Sequence, residues 1–407
     1  MESLGDRLKS LGFKAAATVQ PPQKNGLKPL EEIISAEVIT NSQGSFLVRK
    51  EFFPYGYQHG SVVFTESFFS ERINQAAKIQ QSGVPLNSLL FLDTETSGLS
   101  GGSGSFAFLI GVGSFSDLGF TLQQFIIRNP AEEESMLLHF TNMIFPDSVF
   151  VTFNGKSFDI PLLQNRLIVN RLPGNVRNNP HIDVLHLSRK LWRGHLPSCS
   201  LKELEAEILK TERTDEEVPG WMIPEIYFEY LRTGDAEKLS SVVYHNAQDV
   251  VSLAALFIHI SNLLEKNSEL DEFEVNDLLS VGKIFLELNS IEIAKNVFLK
   301  CLEQSLLDDE KIVANNQLAR IYKNHHQSQR AVQYWIEAAN AGSYEACIEL
   351  AMYYEHQLKD ICSAIFWTEK ARMIVEKITP GWSLQKMRAD LEKRQKRLKL
   401  KEREQNV

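Results

Sequence analysis

Two acids one residue apart end an apolar run in "LLFLDTET", residues 89–96. Side chains alternate between the two faces of a strand, so Asp93 and Glu95 are expected to point to the same side. Neighbouring carboxylates repel each other, and a cation bound between them relieves that repulsion. The pair predicts part of a metal site if further acids lie nearby, since a lone D-x-E arises by chance about once in 300 positions.

Two further acids stand in suitable contexts. In "VFVTFNGKSFDIPLLQNR" an apolar strand is followed by Asn154 and a glycine, and Asp159 falls in the first turn of a helix. An aspartate there also stabilises a helix start, so both interpretations remain open for that residue alone. In "YHNAQDVVSLAAL" Asp249 is surrounded by alanine and valine on a helix. An acid in such surroundings is unusual unless it is paired or binds a metal.

Together, Asp93, Glu95, Asp159 and Asp249 resemble the four acids of the DEDD exonuclease superfamily, which has a ribonuclease H-like fold. The motif order matches: "DTETSGL" at a strand end, "NxxxFD" after the next apolar strand, and a histidine or tyrosine shortly before a helical aspartate. The details "GLSGGSGSFAFLIG", "SLKELEAEIL" and "ERTDEEVPGWMIPEIYFEYL" resemble the YprB-like branch.

This resemblance implies a phosphodiester hydrolase that uses two Mg²⁺ or Mn²⁺ ions. Asp93 would bridge the ions, Glu95 would hold the ion that binds the attacking water, and Asp159 and Asp249 would complete the ligands. The expected activity is 3′ to 5′ exonuclease cleavage of single-stranded RNA or DNA. The competing hypothesis is a non-catalytic scaffold that keeps the fold and binds nucleic acid or protein.

The general base is the point at which the sequence departs from the family. The superfamily places a histidine five residues, or a tyrosine four residues, before the last aspartate, whereas here Tyr244 is five and His245 four residues before Asp249. Four helical residues turn the chain by about 400°, which leaves His245 about 40° from Asp249 and Tyr244 about 140° away. We therefore predict His245 as the base, and Tyr244 as the alternative if the helix begins later.

The glycines after the first two acids predict a turn. No GxxxxGK[ST] or GxGxxG pattern precedes a helix here, so a nucleotide-binding loop is not indicated. The turn from Thr96 to Gly104 should border the cleft and let a nucleic-acid strand approach closely. Asn154 is expected to fix the turn before Asp159 and to border the substrate. The predicted substrate-binding residues are Thr96, Ser97, Gly98, Leu99 and Asn154.

The elements that must position these residues lie in 87–266, where strands and helices mix. The predicted fold class is α/β ribonuclease H-like, with a mixed five-stranded sheet and flanking helices. The predicted strands are "LLFLDTET", "FAFLIGVGSF", "FTLQQFIIR", "SVFVTFNG" and "HIDVLHL". The predicted helices are "AEEESMLLHFTNMIF", "FDIPLLQNRLIV", "SLKELEAEIL" and "KLSSVVYHNAQDVVSLAALFIHISNLL".

Residues 273–380 show only helical periodicity, and the pattern repeats. Small residues at relative positions 0 and 12 and aromatic residues at 3 and 16 recur, as in tetratricopeptide repeats. The second copy extends the spacing with a small residue at position 19, and the third copy fits with one inserted residue. Such a domain predicts a protein or RNA partner. The residues that carry the pattern are Gly282, Phe285, Ala294 and Phe298, then Ala319, Tyr322, Ala331, Trp335 and Ala338, then Ala351, Tyr354, Ala364 and Ala371.

Charge and composition limit the partners and the location expected for the protein. The 407-residue chain has a net charge of −9, which gives no global signal for nucleic acid. No apolar stretch was expected to reach membrane-spanning length, so we expect no membrane partner and a cytoplasmic location. Residues 1–28 are predicted to be loose, and 29–86 to be an extension with a hairpin around Gly44. From Lys386 onward the helical tail 381–407 has nine basic residues and four acids, which fits a solvated helix or a phosphate-contacting arm.

Overall fold

The structure is a computed structural model, and it divides the chain into two compact units, Met1–Glu265 and Lys266–Val407. The turn residue Leu99 and residues 1–26 of the predicted loose segment 1–28 fall outside the described residues. The described residues are 27–66, 71–79, 84–98, 104–213, 218–265, 275–377 and 382–405.

A mixed seven-stranded sheet forms the first unit, in the order β1-β2-β7-β6-β5-β8-β9. The strands β5, β8 and β9 are parallel, and the other neighbours are antiparallel. This confirms the predicted fold class. The seven strands are β1 Glu37–Asn41, β2 Gly44–Pro54, β5 Leu89–Thr96, β6 Ala107–Ser116, β7 Gly119–Ile126, β8 Val149–Thr152 and β9 His181–Asp183, while β3 Gln58–His59 and β4 Val62–Val63 form a separate small hairpin.

The sheet has two strands more than the five predicted, because the N-terminal hairpin joins it. Strand β2 pairs with β7 from Leu47 opposite Ile126 to Pro54 opposite Gly119. Phe46 and Leu47 are fully buried there. The sequence pattern identified the hairpin but carried no information on which sheet edge would receive it, since an edge strand offers backbone partners to any suitable strand.

Helices flank this sheet, and two of those between residues 87 and 266 differ from the prediction. The strand predicted in "HIDVLHL" ends at Asp183, whose carboxylate accepts a hydrogen bond from the Leu185 amide (3.2 Å) and so begins a helix. The helix over 223–233 was not predicted. The helices of this unit are α1 Leu30–Ile33, α2 Glu71–Ala76, α3 Glu133–Asn142, α4 Asp159–Val169, α5 Val184–Trp192, α6 Leu201–Leu204 with a π-turn Glu205–Leu209, α7 Ile223–Thr233 and α8 Glu237–Glu265.

The long helix α8 is a core helix. By length and composition it would suffice to cross a membrane, which corrects the expectation that no such stretch exists. However, 78% of its most apolar window is buried inside the protein. Phe257 on α8 packs edge-on against Phe91 of β5, with ring centroids 5.5 Å apart. This packing fixes α8 against the strand that carries the first two acids.

The second unit consists of helix pairs, as the repeat pattern predicted. An added Cβ on Gly282 would lie 2.7 Å from the Phe298 ring, so the small residue and the aromatic residue meet between paired helices. The alanines of the second and third repeats are fully buried. The helices are α9 Val275–Glu287, α10 Ile291–Leu302, α11 Asp308–Asn324, α12 Ser328–Asn340, α13 Tyr344–Tyr353 with a π-turn Tyr354–Leu358, α14 Ile361–Glu376 and α15 Trp382–Gln405.

The basic tail forms helix α15, which is more firmly packed than either sequence interpretation supposed. Leu384, Leu391 and Leu398, spaced by seven residues, are buried. Arg397 and Lys401 donate hydrogen bonds to the buried Glu355. Burial alone would raise the pKa of Glu355, but these hydrogen bonds lower it to about 2. Part of the tail's positive charge therefore stabilises the second unit.

Candidate active site

The predicted acids come from three elements of the first unit. Asp93 and Glu95 lie near the end of β5, and Asp159 is the first residue of α4, which follows the parallel neighbour β8. Asp249 lies in the middle of α8. Because β5 and β8 are parallel, their carboxyl ends meet at one edge of the sheet, which is where ligands bind in open α/β folds.

The carboxylates face one another closely enough to perturb their protonation. Burial raises the pKa of Asp93 well above its usual value, and the charges of Asp249 and Asp159 raise it further. Glu95 is only 9% exposed, and this burial raises its pKa well above the usual value. The charges of Asp93 and Asp249 raise the pKa of Glu95 further. Burial raises the pKa of Asp159 to about 6. Protons or cations must offset this concentration of negative charge.

Neutral side chains orient two of the acids. Asn246 Nδ2 donates to Asp93 Oδ2 (2.8 Å), and Thr94 Oγ1 donates to Asp159 Oδ1 (2.6 Å). Asn246 is itself held by Gln124, whose Nε2 donates to Asn246 Oδ1 (2.9 Å). An added Cβ on Gly111 would lie 2.3 Å from that same oxygen, so the close approach of α8 to the sheet requires a glycine there.

The histidine joins the acids, and the tyrosine does not. His245 Nε2 lies 3.7 Å from Asp249 Oδ2 and 3.9 Å from Glu95 Oε1. Tyr244 lines a different pocket, together with Arg49 of the N-terminal hairpin. Helix α8 begins at Glu237, well before both residues, so the condition that would have favoured Tyr244 is not met.

Arg213 is a central residue that the sequence reasoning missed. Its Nη2 donates to Asp249 Oδ1 (2.5 Å), and its Nε and Nη2 donate to Glu205 Oε2 (2.5 Å) and Oε1 (2.7 Å). Its Nη1 lies 3.4 Å from His245 Nδ1. One signal was available: Glu205 interrupts the apolar stripe of "SLKELEAEIL", as Asp249 interrupts its own, and a buried acid needs a partner.

Two clefts border the acids. A cleft of about 190 Å³ is lined by Thr96 and Gly98, two of the residues proposed to bind substrate, and also by Phe158. A second cleft of about 280 Å³ is lined by residues that include Arg213 and His245. Both are lined by Gly220. The turn after β5 therefore reaches the cleft.

Two other predicted substrate contacts have structural partners. Ser97 Oγ accepts a hydrogen bond from the Phe106 amide (3.1 Å), which closes the turn between β5 and β6. Asn154 has a φ of 67°, and its amide donates to Asp183 Oδ1 (2.8 Å). Asp183 is thus a structural acid that holds the chain ahead of Asp159, and Asn154 fixes that turn through its main chain.

The four acids suit hard divalent cations by chemical type, because every donor is a carboxylate oxygen. Burial and the neighbouring acids raise the pKa values of Asp93 and Glu95, and a bound cation would reverse that effect. In this conformation Asp249 is paired with Arg213. Over the described ranges no three histidine, cysteine, aspartate or glutamate side chains are grouped to hold an ion. Metal binding would therefore require the acids to rearrange around Asp249.

The raised pKa values predict an unusual pH dependence of stability without metal. Above an ordinary carboxyl pKa of about 4, the folded acids still bind protons that the unfolded chain releases. The free energy of unfolding should therefore fall as the pH rises through about 6, the pKa of Asp159. Urea unfolding in EDTA at several pH values would measure this. The double variant Asp93→Asn, Glu95→Gln should show a flatter profile, and identical profiles would contradict the prediction.

Comparisons with known proteins agree with this architecture. Residues 90–261 match the RNase H superfamily, a range that contains all four acids and the histidine. The uncharacterized protein YprB of Bacillus subtilis (strain 168) is 31% identical over 337 residues, which is 80% of this chain and 80% of that protein. The similarity thus extends beyond the sheet into the helical repeats.

Proposed function

Since the chain belongs to the RNase H superfamily, in the branch represented by YprB, we propose that it is a metal-dependent 3′ to 5′ exonuclease acting on single-stranded nucleic acid. One observation carries the proposal. Acids from β5, α4 and α8 lie together at the clefts, where burial and the charges of neighbouring acids raise the pKa values of Asp93 and Glu95. A protein gains from that repulsion chiefly where it binds cations.

Each residue of the site has a role in phosphodiester hydrolysis. Asp93, Glu95, Asp159 and Asp249 would hold two Mg²⁺ or Mn²⁺ ions, which when bound stabilise charge on the attacking and leaving oxygens. Asn246 and Thr94 fix the orientation of two of these carboxylates. His245, whose Nε2 lies 3.9 Å from Glu95 Oε1, would accept the proton of the attacking water.

Exposed aromatic side chains at the clefts support a single-stranded substrate. Phe158 lines the first cleft beside Asp159, and its surface is 55% exposed. Trp221 is 66% exposed and follows Gly220, which lines both clefts. Aromatic rings stack on unpaired bases of any sequence, whereas the bases of a duplex are already stacked on each other.

Replacing Phe158 by alanine should weaken single-strand binding about tenfold, because base stacking contributes roughly 1–3 kcal/mol per base. Fluorescence anisotropy with a labelled oligonucleotide and Ca²⁺ in place of the catalytic ion would measure the Kd. The matched control is Phe145→Ala, which removes a phenylalanine that is 63% exposed but is not among the residues lining the clefts. Equal affinity of both variants would contradict a stacking role.

The helical repeats would bind a protein partner. Phe366 and Met373, seven residues apart on α14, are 60% and 58% exposed, and large apolar side chains on one exposed helical face are typical of binding surfaces.

The alternative function is a non-catalytic scaffold. It is favoured by the Arg213–Asp249 pair, which compensates part of the acidic charge without a metal.

The deciding experiment is an assay of the purified full-length protein with Mn²⁺ on 5′-labelled single-stranded RNA and DNA. A 3′ to 5′ exonuclease yields a ladder that shortens with time, and a blocked 3′ end stops it. EDTA should abolish cleavage. Binding without cleavage of either substrate would overturn the enzyme proposal in favour of the scaffold.

A further inference from the structure

We propose that Arg213 is the resident cation of the acid cluster and competes with the metal ion for Asp249, while Glu205 anchors the arginine beside the cleft. This inference rests on the proposed function, since it concerns how that site takes up its ion. It assigns a role to Arg213 and to the π-turn Glu205–Leu209 that anchors it.

The contacts of Arg213 are those of a buried countercharge. The side chain is 9% exposed, and one guanidinium nitrogen bonds to Glu205 and Asp249 together. Because Asp249 Oδ1 lies 2.5 Å from that nitrogen, the carboxylate is engaged before any ion arrives. Charges from Arg213 also lower the raised pKa values of Asp93 and Glu95. The arginine thus compensates several acids of the cluster.

Glu205 gives the arginine a fixed anchor that is independent of the metal ligands. Its side chain is 2% exposed and lies in the π-turn Glu205–Leu209. The small β3–β4 hairpin holds that turn, since the Ser61 amide donates to Leu209 O (2.6 Å). Gly60 has a φ of 58°, and an added Cβ there would lie 2.0 Å from the same oxygen. Arg213 therefore stays beside the cleft when Asp249 turns away.

Competition follows from the sharing of one carboxylate. An ion that takes Asp249 must displace a charge-assisted hydrogen bond in a buried setting, which lowers the apparent affinity of the site. Without the arginine, Asp249 would be available, but the metal-free acids would lack a countercharge. The proposal therefore predicts two opposite effects of removing Arg213: tighter metal binding and lower stability without metal. A residue with only a structural role would lower stability and leave the metal affinity unchanged.

The test is Mn²⁺ binding by isothermal titration calorimetry on the full-length protein. The variant Arg213→Gln should bind Mn²⁺ about tenfold more tightly than the unaltered protein, because one charge-assisted hydrogen bond no longer opposes the ion. Its melting temperature in EDTA should fall, and Mn²⁺ should raise it by more than in the unaltered protein. The matched control is Arg166→Gln, which breaks a similarly buried two-point pair with Glu133 outside the cluster. This control should lose stability without changing the Kd.

A second variant covers the case in which Arg213→Gln does not fold. Arg213→Lys keeps the charge, but an ammonium group lacks the planar array of N–H donors that bonds to Glu205 and Asp249 together. Its Mn²⁺ affinity should therefore lie between those of the unaltered protein and Arg213→Gln. If the unaltered protein binds Mn²⁺ and both Arg213 variants bind it equally or more weakly, the inference is wrong while the proposed function stands. If the unaltered protein binds no Mn²⁺, the proposed function itself fails.

Discussion

Replacing Asp93 by asparagine should lower nuclease activity by roughly 10³-fold, because removing a central metal ligand forfeits about 4 kcal/mol of transition-state stabilisation. Burial raises the pKa of Asp93, and the charges of Asp249 and Asp159 raise it further, so its carboxylate lies close to both of these acids. Asparagine keeps the shape of the side chain, and its carbonyl oxygen can still accept the hydrogen bond from Asn246. The substitution should therefore remove charge and leave the fold in place.

Stability separates this loss of activity from a loss of folding. Without metal, Asp93→Asn should unfold at the same urea concentration as the unaltered protein or at a higher one, because a buried, repelled carboxylate has been removed. The control Glu133→Gln weakens a buried pair with Arg166, so it should lower stability but keep activity. Retained activity in Asp93→Asn, measured in single turnover with Mn²⁺, would refute its role as a ligand.

The fold was predictable wherever a local pattern had a single physical interpretation. Strand β5 occupies the residues expected for it, because four consecutive apolar residues beside two acids suit a strand buried on both faces. The strand predicted for "HIDVLHL" was too long, because only three residues form a strand and a helix capped by Asp183 follows at once. The place of the N-terminal hairpin could not be predicted, because strand pairing from Leu47 with Ile126 to Pro54 with Gly119 joins segments far apart in sequence and leaves no local trace.

The acids of the site could be predicted from the sequence, but the residues that bond to these acids could not. Acids on apolar runs are visible in the sequence because burying a charge is costly. Arg213 stands in a polar stretch, "KTERTDEE", where one arginine among acids resembles ordinary surface charge. Only the folded chain shows that it reaches Asp249, 36 residues away in sequence. Asn246 was overlooked for a similar reason, since a single helical asparagine gives no sign that it bonds to Asp93.

Replacing His245 by alanine should lower the rate of cleavage by about 10²- to 10⁴-fold, the usual contribution of a positioned general base. The imidazole lies 3.9 Å from Glu95 and 3.7 Å from Asp249, and a neutral imidazole accepts protons near neutral pH. Since alanine removes no metal-binding carboxylate, the affinity for Mn²⁺ should change far less than the rate. A large fall in kcat with little change in Mn²⁺ affinity would identify a base, as opposed to a ligand.

The tyrosine next to His245 provides the control. Tyr244 lines a pocket with Arg49 and Val251, on a side of α8 that the acids do not share. Tyr244→Phe removes only the hydroxyl of a half-buried side chain that lines a different pocket, so it should leave the rate within about threefold. If Tyr244→Phe instead proved the more damaging change, the base would have to come from the other side of α8. The helix would then have to turn by about 100° during catalysis, because consecutive residues differ by that angle. The core contacts of α8, such as Phe257 on Phe91, oppose such a rotation.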